Sequence, residues 1–102
     1  MLNSISDSSM IVALLEVELH IAEARSLKEK RMVLRRLKDR LKPFNVAVAE
    51  VEHQDLWQRA GLAVVTVSTA TDAVDRLLES VVDEIERIEP GRITRTATEY
   101  LT

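Results

Sequence analysis

Apolar and polar positions alternate from Met10 to Ile21 (MIVALLEVELHI). Ile11, Ala13, Leu15, Val17, Leu19 and Ile21 share one face, while Val12, Leu14, Glu16, Glu18 and His20 share the other. A period of two with one wholly apolar face predicts a strand half-buried against a core. The rhythm then changes. Ser26 stands three residues before Glu29, the spacing of a capping box, in which hydroxyl and carboxylate satisfy amides left free at a helix start. Leu27, Leu34, Leu37 and Leu41 follow at helical spacing. Lys30 falls within the arc of that stripe, where its stem can pack while the ammonium reaches outward. Pro43 ends the helix, because it lacks an amide proton and clashes with the preceding turn.

Residues 45–52 (NVAVAEVE) predict a second strand whose buried face stays open, since Val46 and Val48 oppose Ala47, Ala49 and Val51. Residues 53–60 (HQDLWQRA) read as a connection, with Asp55 as a candidate cap. Gly61 leads into LAVVTVST, the most apolar segment and therefore a central strand. Thr69 to Asp72 supply caps for a second helix over Asp72 to Glu89, in which Val74, Leu77, Leu78, Val81, Ile85 and Ile88 keep helical spacing. Pro90 and Gly91 end it, and the β-branched run RITRTATEYL predicts a last strand. The order β-α-β-β-α-β with right-handed crossovers predicts an α+β, ferredoxin-like sandwich. Its four-stranded antiparallel sheet has order 4-1-3-2 and carries both helices on one face. Residues 10–102 then form one domain. Residues 1–9 (MLNSISDSS), polar and rich in small side chains, are expected to be a disordered extension, with Met1 and Met10 both possible native starts.

Composition narrows the chemistry. With no cysteine, disulfides, thiolate zinc sites and cysteine nucleophiles are excluded, which fits the expected cytoplasmic location. No apolar run approaches the ~20 residues of a membrane span, and the N-terminus lacks the layout of a secretory signal. The two glycines, Gly61 and Gly91, make no phosphate-cradling loop. Neither a nucleophile elbow nor an HExxH metal motif occurs. Neither an enzymatic activity nor a cofactor is expected.

Charge changes the picture more. Of fourteen basic residues, nine lie between Arg25 and Lys42: Arg25, Lys28, Lys30, Arg31, Arg35, Arg36, Lys38, Arg40 and Lys42. Only Glu29 and Asp39 oppose them, a net of +7, which leaves −10 for the remainder of a chain whose overall charge is −3. At ~100° per residue, Lys28, Arg35, Arg36 and Arg40 fall on the far or flanking side of the first helix. Such a concentration suits a polyanion. Lys28, Lys30, Arg31, Arg35, Arg36, Lys38, Arg40 and Lys42 are its candidate ligands. The second helix holds seven acids against Arg76 and Arg87, so the alternative is a solvated face balanced by its neighbour. Aromatic interleaving is missing, and contact with RNA is expected to run through backbone and shape rather than base stacking.

Two further surfaces stand out. The sheet face without helices is expected to expose Val12 and Leu14 with Leu62 and Val64, or their neighbours on the third strand. That patch suits homodimerisation, unless the Trp57 loop and the extension cover it. Trp57 and Arg59 share one hairpin loop, a pairing enriched in interface hot spots, although a tryptophan is as readily a core anchor. His20 and His53 end at one rim with Glu18, Glu50, Glu52 and Asp55 nearby. Their strands lie two apart, ~9.5 Å, too far for both imidazoles to share an ion, and no metal site is expected.

LLEVELHI (14–21), ARSLKEKR (24–31) and FNVAVAEVEHQDLWQRA (44–60) together resemble the YlxP-like family of small bacterial cytosolic proteins. The resemblance runs from Met10 to about Leu101. It implies the ferredoxin-like fold, no established enzymatic activity, and a ribosome- or RNA-linked role, since family genes often lie beside translation-initiation and ribosome-maturation genes. The chain departs by its nine-residue extension and by Ala22, where a proline is common. The combined expectation is a non-enzymatic protein that binds structured RNA or the ribosome through its first helix. The alternative is a homo-oligomeric interaction or regulatory domain whose basic helix docks on an acidic protein.

Overall fold

A computed structural model describes residues 10–102. The expected extension, residues 1–9, lies outside the described residues. Six elements follow: β1 (Ile11–His20), α1 (Leu27–Leu41), β2 (Ala47–Glu52), β3 (Arg59–Ser68), α2 (Thr71–Ile88) and β4 (Ile93–Tyr100). Every strand pair is antiparallel, and the sheet runs β2-β3-β1-β4. This is the ferredoxin-like α+β topology that the element order predicts.

The core lies between the sheet and the two helices. β1 contributes Ala13, Leu15, Val17 and Leu19; β3 contributes Ala60, Leu62 and Val64. Leu34, Leu37 and Leu41 meet them from α1, and Val74, Leu78, Val81 and Ile85 from α2. Register corrects one expectation. Leu15 sits opposite Val64 and Val17 opposite Leu62, so Leu62 and Val64 are core residues, 1% and 0% exposed, rather than open-face residues. Ala63, Val65 and Val67 take the open face instead. Alternation could not decide this, because β3 is apolar on both sides and its one polar interior residue, Thr66, also faces inward. The Thr66 hydroxyl is satisfied there by donating to the Asn45 carbonyl at 2.7 Å. Val46, just before β2, and Val48 within it pack against the core, while Ala47 and Ala49 are exposed.

The two helices begin differently. Ser26 Oγ accepts the Glu29 amide at 3.1 Å, and Glu29 Oε1 accepts the amide of Arg25 at 2.8 Å, one residue earlier than the usual reciprocal bond. α2 has no such box. Its N-cap is Ala70, without a side-chain cap. None of the side chains from Thr69 to Asp72 caps it, and Ser68 Oγ accepts the amide of Ala70 itself at 3.5 Å.

Where α2 hands over to β4, the buried Glu89 accepts from Arg92 Nε at 2.7 Å and pairs with Arg36 of α1. Arg92 also grips Glu23 in the β1–α1 loop, with Nη1 to Oε1 at 2.6 Å. Hydrogen bonding to Arg92 is the main reason the Glu23 carboxyl is lowered from the ordinary 4.5 to about 2. A carboxyl depressed by folding stabilises the protein above its unfolded pKa, and the contribution disappears as pH falls through the folded one. Thermal melts followed by circular dichroism should therefore lose stability as pH drops from about 4.5 toward about 2. Glu23→Gln should decline less steeply over the same window.

Candidate functional site

The roll of α1 decides which of its cations reach solvent. At ~100° per residue, Lys30, Leu34, Leu37 and Leu41 share one line, and all four are buried. Arg36 and Arg40 lie on the flank facing α2. Arg36 pairs with Glu89. Glu84 has its carboxyl lowered chiefly by hydrogen bonds to Arg87, and to a lesser degree by the charge of Arg40. Lys28, Arg31, Arg35, Lys38 and Lys42 occupy the opposite flank at intervals of three, four, three and four residues, and all are exposed. Lys42 pairs with Asp39 at 3.3 Å. Among the described residues, Lys28, Arg31, Arg35 and Lys38 have no ion pair within bonding distance. At 1.5 Å per residue the row spans about 21 Å.

Lys30 is the main correction to the predicted set. It is 1% exposed and cannot meet a phosphate. Its Nζ donates to the carbonyls of His53 at 2.8 Å, Arg59 at 3.2 Å and Gln54 at 3.4 Å. An ammonium carries three protons, and these three acceptors account for them. Glu50 Oε2 lies 2.8 Å from Nζ yet makes no directed hydrogen bond, so it neutralises the ammonium by charge. The helix is thereby fastened to the β2–β3 connection. A signal for this exists in the sequence: Lys30 continues the line of Leu34 and Leu37, and Glu50 continues the inward line of Val46 and Val48.

The open sheet face divides in two. Val12 and Leu14, half-buried, lie opposite Val67 and Val65, with Ala63, Ala47 and Ala49 alongside. The other end is ionisable. A register shift between Glu50 and Glu52 makes Val51 a bulge, so that Glu52 and Glu18 both pair with Gly61 from opposite sides. A Cβ on Gly61 would lie 2.8 Å from that of Glu52. His53 has φ of 61°, and its Nε2 reaches Glu18 Oε2 at 3.1 Å, while Arg59 Nη2 holds Oε1 at 3.2 Å. The hydrogen bond from His53, then that from Arg59, lowers the Glu18 carboxyl. The missing side chain at Gly61 lets His53 reach Glu18 across β3.

His20 does not join that group. It lines a cleft of about 470 Å³ with Asp55, Leu56, Trp57, Gln58 and Arg59. Trp57 is 51% exposed and is not a core anchor. Gln58 performs the anchoring, donating to the carbonyls of Ala22 at 2.9 Å and Ala24 at 3.3 Å. Among the described residues no helix is long and apolar enough to cross a membrane.

Comparison with known proteins adds a family and a fold. The family described as "Protein of unknown function (DUF503)" matches residues 12–98. "Uncharacterized protein YlxP" of Bacillus subtilis (strain 168) is 35% identical over 91 residues, covering 88% of this chain and 99% of that protein. Two solved structures share the fold alone. The de novo designed protein Foldit4 aligns with a TM-score of 0.57 at 14% identity, over 91% of this chain and 97% of its own. SnoaB, a cofactor-independent oxygenase from Streptomyces nogalater, aligns with a TM-score of 0.52 at 13% identity, over 93% of each chain.

The buried ammonium generates a stability prediction. Lys30→Met leaves Glu50 and three carbonyls without their partner, and should cost about 3–5 kcal/mol in urea denaturation. Adding Glu50→Leu should recover part of that loss, giving a non-zero coupling energy in a double-mutant cycle.

Proposed function

The chain belongs to the DUF503 family, a description that carries no activity, and we propose from its surface that it is a non-enzymatic, cytoplasmic protein that binds structured RNA or the ribosome. Contact runs through the outer flank of α1. The observation that carries this reading is the row Lys28, Arg31, Arg35 and Lys38, extended by Lys42, on the flank turned away from the acidic helix. Those side chains repeat along one line of the helix, while on the other side Arg36 pairs with Glu89 just past α2 and Arg40 lies in the field of Glu84. A linear row of flexible cations matches a phosphate backbone, and affinity arises as condensed counterions leave the nucleic acid. The row contains no aromatic side chain, which favours recognition of shape over bases. Overall charge is −3, so attraction is confined to this flank rather than spread over the molecule.

A second reading concerns assembly. Val12, Leu14, Ala63, Val65 and Val67 form an apolar patch on the sheet face opposite the helices, and we read it as a homodimer contact. Sedimentation should then find a dimer that Val65→Lys converts to monomer. A wild-type monomer at every concentration removes this reading.

Fluorescence anisotropy with a labelled structured RNA tests the first reading. Four or five phosphate contacts imply a loss of about two to three orders of magnitude in affinity between 50 and 200 mM salt. Replacing Lys28, Arg31 and Arg35 together by Gln should lower the salt slope by about three contacts without moving the melting temperature. Arg36→Gln should change binding far less. Absence of binding at low salt, or a flat salt response, would sink the proposal and leave an acidic protein surface as the partner class of matching charge.

A further inference from the structure

The ionisable end of the open sheet face holds a donor set that packing does not explain. Glu18, Glu52 and His53 each offer one ligand atom, and these atoms lie within 4.8 Å of one another. Ligand atoms that each lie ~2.0–2.2 Å from one tetrahedral zinc stand roughly 3.4 Å from one another, and Nε2 of His53 already lies 3.1 Å from Oε2 of Glu18.

Three backbone features produce the juxtaposition. In a regular strand Glu52 would share the helix side of the sheet with Glu50, as residues two apart do; the bulge at Val51 sends it to the open face. His53 follows directly and would ordinarily point the opposite way, but its left-handed φ of 61° brings its ring toward Glu18. Gly61, between Glu18 and Glu52, leaves the space above β3 empty, and any Cβ there would collide with Glu52. A non-glycine residue at positive φ is strained, and such conformations gather at functional sites. Here Lys30 holds the strained residue by donating to its carbonyl at 2.8 Å.

Arg59 and Arg95 border the group. Arg59 occupies Oε1 of Glu18 and leaves Oε2 turned toward His53. That is the outer-shell support by which hydrogen-bonded carboxylates are oriented on metals. Two carboxylates and an imidazole, open to solvent on one side, match the mixed nitrogen and oxygen preference of zinc-type ions.

We propose that Glu18, Glu52 and His53 form a site for one divalent ion of the zinc type, with water completing its coordination. The site lies on the sheet face, away from the cationic flank of α1, and stands independently of the RNA reading. The ion joins β1 to the end of β2 across the intervening strand.

Zn2+ added to chelator-stripped full-length protein is the test, read by calorimetry and by the imidazole NMR signals. The chain has two histidines, which makes the readout specific: His53 should shift on saturation with one ion per chain, and His20 should not. Glu52→Gln and His53→Ala should each weaken Zn2+ about tenfold or more, and Arg36→Gln should leave it unchanged. Absence of saturable binding, movement of His20 instead of His53, or undiminished affinity in both variants overturns the assignment. The NMR measurement on the unaltered chain decides the matter even where a variant folds poorly.

Discussion

One buried ammonium organises this molecule. Taking a lysine charge out of water costs several kcal/mol unless good geometry restores what solvent supplied. Lys30 meets that demand with three backbone carbonyls and the charge of Glu50. The carbonyls belong to the β2–β3 connection, so the helix and the connection cannot be placed independently. The roll of α1 follows: with Lys30 inward, Lys28, Arg31, Arg35 and Lys38 must lie on one flank and Arg36 and Arg40 on the other. The left-handed turn at His53 and the start of β3 at Arg59 also follow, since both contribute their carbonyls.

Much of the fold was legible because local signals agreed with one another. The alternation of β1, the Ser26–Glu29 box, Pro43 and the Pro90–Gly91 stop each named an element, and their order left one reasonable topology. Faces were harder. β3 is apolar on both sides, and only its partner β1, with a clear polar side, settles which valines are inside. Polar residues that are satisfied by distant backbone were harder still. Lys30 looked like one cation among nine because its acceptors are 23 to 29 residues away. Glu89 looked like the last acid of an acidic helix, although it joins Arg36 to Arg92. The reach of His53 to Glu18 was hidden for a different reason: it depends on the bulge beside Gly61, which the spacing of regular strands does not contain.

The two flanks of α1 also resolve the balance between attraction and cancellation. A basic helix beside an acidic one need not be neutralised, because ion pairing is short-ranged and each flank sees a different neighbour. Arg36 fastens α1 to Glu89 at the end of α2, and Arg40 lies close enough for its charge to be felt at Glu84. The outer row faces solvent and keeps its charge, subject only to ionic screening over about 10 Å at 0.1 M salt.

The bulge at Val51 has a consequence for how this chain tolerates change in length. Glu50 and Glu52 are chemically identical and only two positions apart, yet one neutralises a buried lysine and the other stands on an open surface. A single additional residue in β2 separates those two environments. Deleting Val51 would leave the two carboxylates on opposite faces, because consecutive strand residues alternate, whereas drawing Val51 into a regular pleat would turn both toward the core, beside one ammonium that can answer one of them. Pairing, more than length, is therefore the chemical variable in this stretch, and one residue more or less at the tip of the connection, beyond the reach of Lys30, alters only the path of an exposed loop.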